Sequence, residues 1–230
     1  MGPLPPTRPA RRLREVGDLA PVVLDLPFRG SWLAINSPAR RVPSHGTTLF
    51  GTTYAIDFVA VDAGGRSAPR TWRTFLYVEP PEHFRGFGAP ILAPASGTVV
   101  IAHDGEPDHA ARRSPVALVS YALGQAGRAR KGMAAIAGNH VVVALGPAGP
   151  YVGLVHLRHA TVSVRPGDSV RTGQQIGECG NSGNSTQPHV HVQVTNSTDW
   201  RVAAGLPMLF RRPGSGDATW LPAESEIVRA

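Results

Sequence analysis

The feature that most constrains this chain is the run His189-Val190-His191-Val192-Gln193-Val194. Polar and apolar residues alternate at every step, which is the period of a β-strand with one buried face. Residues two apart share a face, so Val190, Val192 and Val194 are expected to enter an apolar core. His189 and His191 then stand side by side on the opposite face. Two neutral imidazoles so placed suit a zinc site, or one ligand beside one acid/base group. An isolated His-x-His is more often a half-exposed strand that happens to carry two histidines, so the rest of the chain has to shift the balance.

Composition narrows the fold. The 230 residues include 26 Gly and 22 Pro, which favours frequent turns over long helices, and the short valine-rich runs favour strands. The expected class is all-β, a mainly antiparallel β-sheet core with long loop insertions. Net charge is +7, yet the basic residues are scattered and not interleaved with aromatics, so no nucleic-acid partner is expected. Cys179 is the only cysteine, which excludes an intrachain disulfide and a thiolate metal cluster, so any metal must use His, Asp or Glu. No apolar run is long enough to span a membrane. The first apolar stretch, Leu19–Phe28, is interrupted by Pro21, Asp25 and Pro27 and makes a poor signal peptide, so the sequence by itself reads as cytoplasmic.

Taken in order, residues 1–20 read as a loose Pro- and Arg-rich arm, 21–195 as one domain, and 196–230 as a tail that wraps it. Val22–Leu26 and Trp32–Ile35 are expected to pair as a hairpin around Arg29-Gly30. Thr53–Asp62 reads as a strand whose Asp57 is a carboxylate among apolar residues. Burying it unpaired is costly, so it requires a cation, a metal or several N–H donors. Residues 103–137 read as a long insertion with a short helix near Val116–Leu123, and its stretch HDGEPDH as a solvated loop at a cleft rim. Gly138–Leu145 and Tyr151–Leu157 form a further hairpin, and the His-x-His strand is expected to close the sheet.

The ordered run PILAPASGTVV, GNHVVV, VHL and VRPGDSVRTGQQIGECGNSGNSTQPHVHVQV resembles the β-sheet core of the M23 metallopeptidases, the lysostaphin-like endopeptidases, over about 86–194. The resemblance implies one zinc per chain, held by a histidine and an aspartate near the domain start and by the second His-x-His histidine. By position these are Asp57 and His191, with His189 and His156 at the two catalytic histidines. The family's usual His-x-x-x-Asp is broken here, because Thr53 stands four residues before Asp57. His45 is the nearest upstream histidine, eleven residues intervening, and it is taken as the displaced ligand. Lengthening a loop costs only ~0.6 kcal/mol per doubling. His103, Asp104, Asp108 and His109 are the rival donors.

The chemistry fits these assignments. Two histidines and one carboxylate leave zinc an open position, as catalytic sites do. His189 is assigned the general-base role and His156 the acid or oxyanion role, and the two are exchangeable. The resemblance further implies peptidoglycan cross-link peptides as substrate, which would require export. The alternative is a catalytically degenerate module of the same fold that binds without hydrolysis. A biotinyl- or lipoyl-carrier reading of PGDxVxxGQxIG fails, because Lys131, the only lysine, lies in the Arg-rich insertion.

Overall fold

A computed structural model describes residues 20–69, 72–114 and 133–230. The 1–19 arm and the helix expected near Val116–Leu123 lie outside the described residues. The strands are β1 (Val22–Leu24), β2 (Ser31–Ile35), β3 (Ile56–Ala60), β4 (Pro90–Leu92), β5 (Gly97–His103), β6 (Asn139–Ala144), β7 (Tyr151–Leu157), β8 (Ser169–Val170), β9 (Gln175–Glu178), β10 (Val190–Thr195), β11 (Met208–Arg211), β12 (Thr219–Trp220) and β13 (Ile227–Arg229). One short helix, α1 (Met133–Ala137), and three 3-10 turns complete the described elements. None of the described helices is long and apolar enough to cross a membrane.

The expected all-β class holds. Eight strands form one sheet in the order β13-β2-β3-β10-β7-β6-β5-β8, and every pairing in it is antiparallel. Smaller sheets β1-β11-β12 and β4-β9 contribute to the same core. The period-two pattern decides which residues enter it. Ile56 and Phe58 of β3, Val141 and Val143 of β6, Leu154 of β7, and Val190, Val192 and Val194 of β10 are buried there with Phe28, Trp32, Ile91, Ile176 and Phe210. The opposite face of the sheet carries Asp57, His191, Gln193, Val155 and His140, with Trp200 packed beside them.

Two expectations are corrected and a third is refined. The His-x-His strand does not close the sheet; β10 lies in its middle between β3 and β7, with both of its faces buried. The Val22–Leu26 and Trp32–Ile35 hairpin does not form. β1 pairs in parallel with β11, and Leu26 and Phe28 turn into the core, where Phe28 stacks on Trp32 at 4.6 Å. The stretch after His103 is an irregular loop with Asp104, Gly105 and Pro107 exposed, but it is also pinned to the domain. Asp104 accepts the amides of Ala160 and Val162, and Asp108 those of His159 and Asn181. Ala111 exchanges two backbone hydrogen bonds with Glu79. The C-terminal residues add β11 and β12 to one sheet and β13 to the edge of another.

Candidate metal centre

The pairing of β3 with β10 places Asp57 directly opposite His191. Directly paired residues share a face, so this register alone sets the two side chains together. Val155 lies on the other side of His191 and is itself opposite His140. Between the Leu157–Asn139 and Val155–His140 pairs, β7 carries one extra residue, His156, with φ +66°. A bulge re-aims a side chain, and this one turns His156 to the cleft face, its ring 4.7 Å from that of His189 and 6.0 Å from that of His191.

His45 arrives by another route. From Ser44 to Tyr54 the chain makes a loop ending in the 3-10 turn Leu49–Tyr54, kinked at Phe50 (φ 59°) and Gly51 (φ 76°). Hydrogen bonds from the Ser44 amide to Thr53 O and from the Ser44 hydroxyl to Thr52 O close it. His45 Nε2 then lies 3.1 Å from Asp57 Oδ2, and its ring is 4.9 Å from that of His191. The structure thus brings His45, Asp57 and His191 together, with one donor atom from each within 4.8 Å of the others. Among the described residues this is the only such cluster. His103, Asp104, Asp108 and His109 lie outside it.

The hydrogen bonds fix which nitrogen of each ring is free. His191 Nε2 is 2.9 Å from Gln193 Oε1, whose amide nitrogen donates to Phe50 O, so Nε2 carries the proton and Nδ1 keeps its lone pair, 2.8 Å from Asp57 Oδ1. The Ser44 hydroxyl donates to Thr52 O and therefore accepts from His45 Nδ1 at 3.0 Å, leaving His45 Nε2 toward Asp57. Two imidazole lone pairs thus point at one buried carboxylate, which Asn36 Nδ2 also contacts at 2.7 Å. Such a cluster is stable only around a cation, either a shared proton or a metal ion. The donor set, two nitrogens and a carboxylate with outer hydrogen bonds holding each ring, suits a divalent metal.

Electrostatics agree with this arrangement. Burial pushes the Asp57 carboxyl up, but the charges of His45 and His189 and the close contacts of His191 and His45 outweigh it and hold the carboxyl well below its usual range. Burial pulls His45 down, and the charge and hydrogen bond of Asp57 reverse this, so the imidazole is raised. His156 and His189 behave oppositely: burial holds both below the usual histidine value, most strongly for His156. Their Nδ1 atoms donate to backbone carbonyls, Ser182 O at 2.9 Å and Gln187 O at 2.8 Å, and His189 Nε2 lies 3.7 Å from Asp57 Oδ1.

Asn36, Ser44, Ser182, Gln187 and Gln193 have no role in the sequence reading. Only Gln193 carried a signal, its place two residues after His191 on the same strand face.

A central antiparallel sheet bears a His-Asp-His cluster that could hold a metal ion, with two further buried imidazoles beside it. The profile of peptidase family M23 matches residues 83–202, and the chain belongs to that family. Among solved structures it is similar to a mutant catalytic domain of the prophage-encoded M23 protein EnpA from Enterococcus faecalis, at 18% identity over 66% of this chain and 73% of that one, TM-score 0.38. It is also similar to the catalytic domain of the antimicrobial peptidase lysostaphin from Staphylococcus simulans, at 21% identity over 66% and 74%, TM-score 0.37. A third is a peptidase M23 from Pseudomonas aeruginosa, at 18% identity over 86% of this chain and 56% of that one, TM-score 0.40. No curated protein matches the chain.

Proposed function

We propose that the chain is a zinc-dependent endopeptidase acting on the peptide cross-links of peptidoglycan, with His45, Asp57 and His191 as zinc ligands and His189 and His156 as catalytic histidines. The observation that carries the reading is the pair of imidazole lone pairs converging on Asp57, with each ring's other nitrogen already committed. Family membership supplies the reaction class. The substrate class and the zinc rest on resemblance to that family, and a cell-wall substrate would require export.

Bound zinc would polarise the scissile carbonyl and bring a water's pKa toward ~7. The protein's own groups do the rest. His189, held neutral by burial and fixed through Nδ1, presents Nε2 as the base that takes a proton from the attacking water and returns it to the leaving amine. His156 also presents a bare Nε2 while neutral, because its Nδ1–H is donated to Ser182 O. It can stabilise the oxyanion only after gaining a proton, so its role begins once negative charge has developed beside it.

The test is to incubate the zinc-loaded protein with cross-linked peptidoglycan and with isolated cross-bridge peptides and to count new amino termini. The reading expects termini that disappear with a chelator and with His189→Ala. Binding to peptidoglycan without new termini, by a protein that holds zinc, would support the degenerate-module reading instead.

A further inference from the structure

We propose that Gln193 is a positioning residue that joins the two histidine ligands, holding the His191 ring with one end of its amide and the His45 loop with the other; this rests on the zinc-site reading above. Gln193 is 2% exposed, and both ends of its amide are engaged. Its Oε1 accepts from His191 Nε2 at 2.9 Å, and its Nε2 donates to Phe50 O at 3.1 Å. The first contact commits His191 to the tautomer whose Nδ1 faces Asp57. The second reaches the kinked turn of the loop that delivers His45.

The neighbours make room for this link. Gln193 lies directly opposite Gly153, where a Cβ would come 3.4 Å from Gln193 Cγ and 2.8 Å from Trp200 Cζ2. The missing side chain makes room for the Trp200 ring and the Gln193 stem. Phe50 and Gly51, both at positive φ, turn the Phe50 carbonyl toward the amide. A Cβ on Gly51 would lie 2.5 Å from Thr195 Cγ2, so the turn sits directly on β10. His191, Gln193 and Thr195, on one face of one strand, therefore meet the loop at three successive points: the His45 ring, the Phe50 carbonyl and the Gly51 backbone. That docking offsets the freedom of a first ligand twelve residues before the aspartate. One amide thus couples the strand half of the ligand set to its loop half.

Two substitutions separate the two ends. Gln193→Leu loses both contacts. Gln193→Glu keeps an acceptor for His191 Nε2–H but sets a carboxylate oxygen against the Phe50 carbonyl. Zn²⁺ affinity is read by titration against a competing chelator. The His191 tautomer is read from ring ¹⁵N shifts, and the loop from exchange of the Ser44 and Ala55 amides, both in metal-free protein. The expected result is a 10–100-fold loss of Zn²⁺ affinity in Gln193→Leu. Its His191 should become a tautomer mixture and its loop amides should exchange faster. In Gln193→Glu the tautomer should persist, the loop should exchange faster and the affinity loss should be smaller. Zn²⁺ affinity within twofold of wild type in both folded variants would overturn the proposal, and so would a wild-type tautomer and wild-type exchange in Gln193→Leu. If Gln193→Leu does not fold, Gln193→Glu decides alone through its loop exchange. If wild type takes up no Zn²⁺, the zinc reading fails separately, and the two metal-free readouts still decide whether Gln193 joins the halves.

Discussion

His191 and His45 reach the same carboxylate by opposite means. His191 is placed by sheet register: it is opposite Asp57 because β10 and β3 pair that way, and a one-residue slip would turn it into the core. His45 is placed by a loop whose path depends on the Ser44 hydrogen bonds, the Phe50-Gly51 kink and contact with β10. The strand half is buried in the sheet, whereas the His45 side chain remains 20% exposed. A site built this way joins a rigid half to a half held mainly by polar contacts, and the two halves should fail differently.

The largest expected effect tests whether both halves are needed. Elemental analysis of wild type should give about one zinc per chain, and His191→Ala, Asp57→Asn and His45→Ala should each lose it. Zinc kept in His45→Ala but lost in His191→Ala would break the comparison, leaving the loop as scaffold only. Next in size, His189→Ala and His156→Ala should keep their zinc and lose about 10²–10⁴ in turnover, since each removes one proton-transfer or charge-stabilising group. Loss of zinc in either would move that histidine into the ligand set.

A smaller effect probes the loop alone. Gly51→Ala puts a side chain at φ +76° and against Thr195, so it should cost about 1–3 kcal/mol in urea unfolding and weaken zinc uptake through His45. The same change at Gly105, which has open space and no positive φ, should cost little. Equal costs would mean that the Phe50-Gly51 turn does not hold the loop.

This contrast also explains what could be read from the sequence. Alternation in HVHVQV and TYAIDF settled which side chains face the core, whereas the meeting of Asp57 with His191 was legible only through the resemblance to the M23 family. Placing His45 beside Asp57 rested on finding the nearest histidine and on the low cost of a longer loop, and nothing local dictated the route the loop takes. The bulge that turns His156 outward was not legible, because it shows only when β6 and β7 are set in register. The anchoring of the loop after His103 was not legible for a related reason. Asp104 and Asp108 bond backbone amides at Ala160, Val162, His159 and Asn181, and an amide leaves no mark in the sequence. β1 was misassigned because its partner, β11, lies at the far end of the chain and a parallel pairing needs no adjacent turn.

The smallest effect concerns pH, and the two halves differ there in sign. In metal-free protein His156, His189 and His140 are all held below the usual histidine value, chiefly by burial. The unfolded chain therefore takes up protons at these positions first, and stability falls as pH drops below about 6.5. His45 is raised, burial being outweighed by Asp57. Its contribution is fully present below about 6.5 and is lost as pH rises through its folded value. Urea unfolding of metal-free protein across pH 5–9 should show both limbs. His156→Gln should flatten the acid limb by up to about 1.4 kcal/mol per pH unit, the value for one proton. Asn in place of His45 should flatten only the alkaline limb. If His45→Asn changed the acid limb instead, the His45 ring would not be sharing a proton with Asp57, and the loop half would not be preformed without metal.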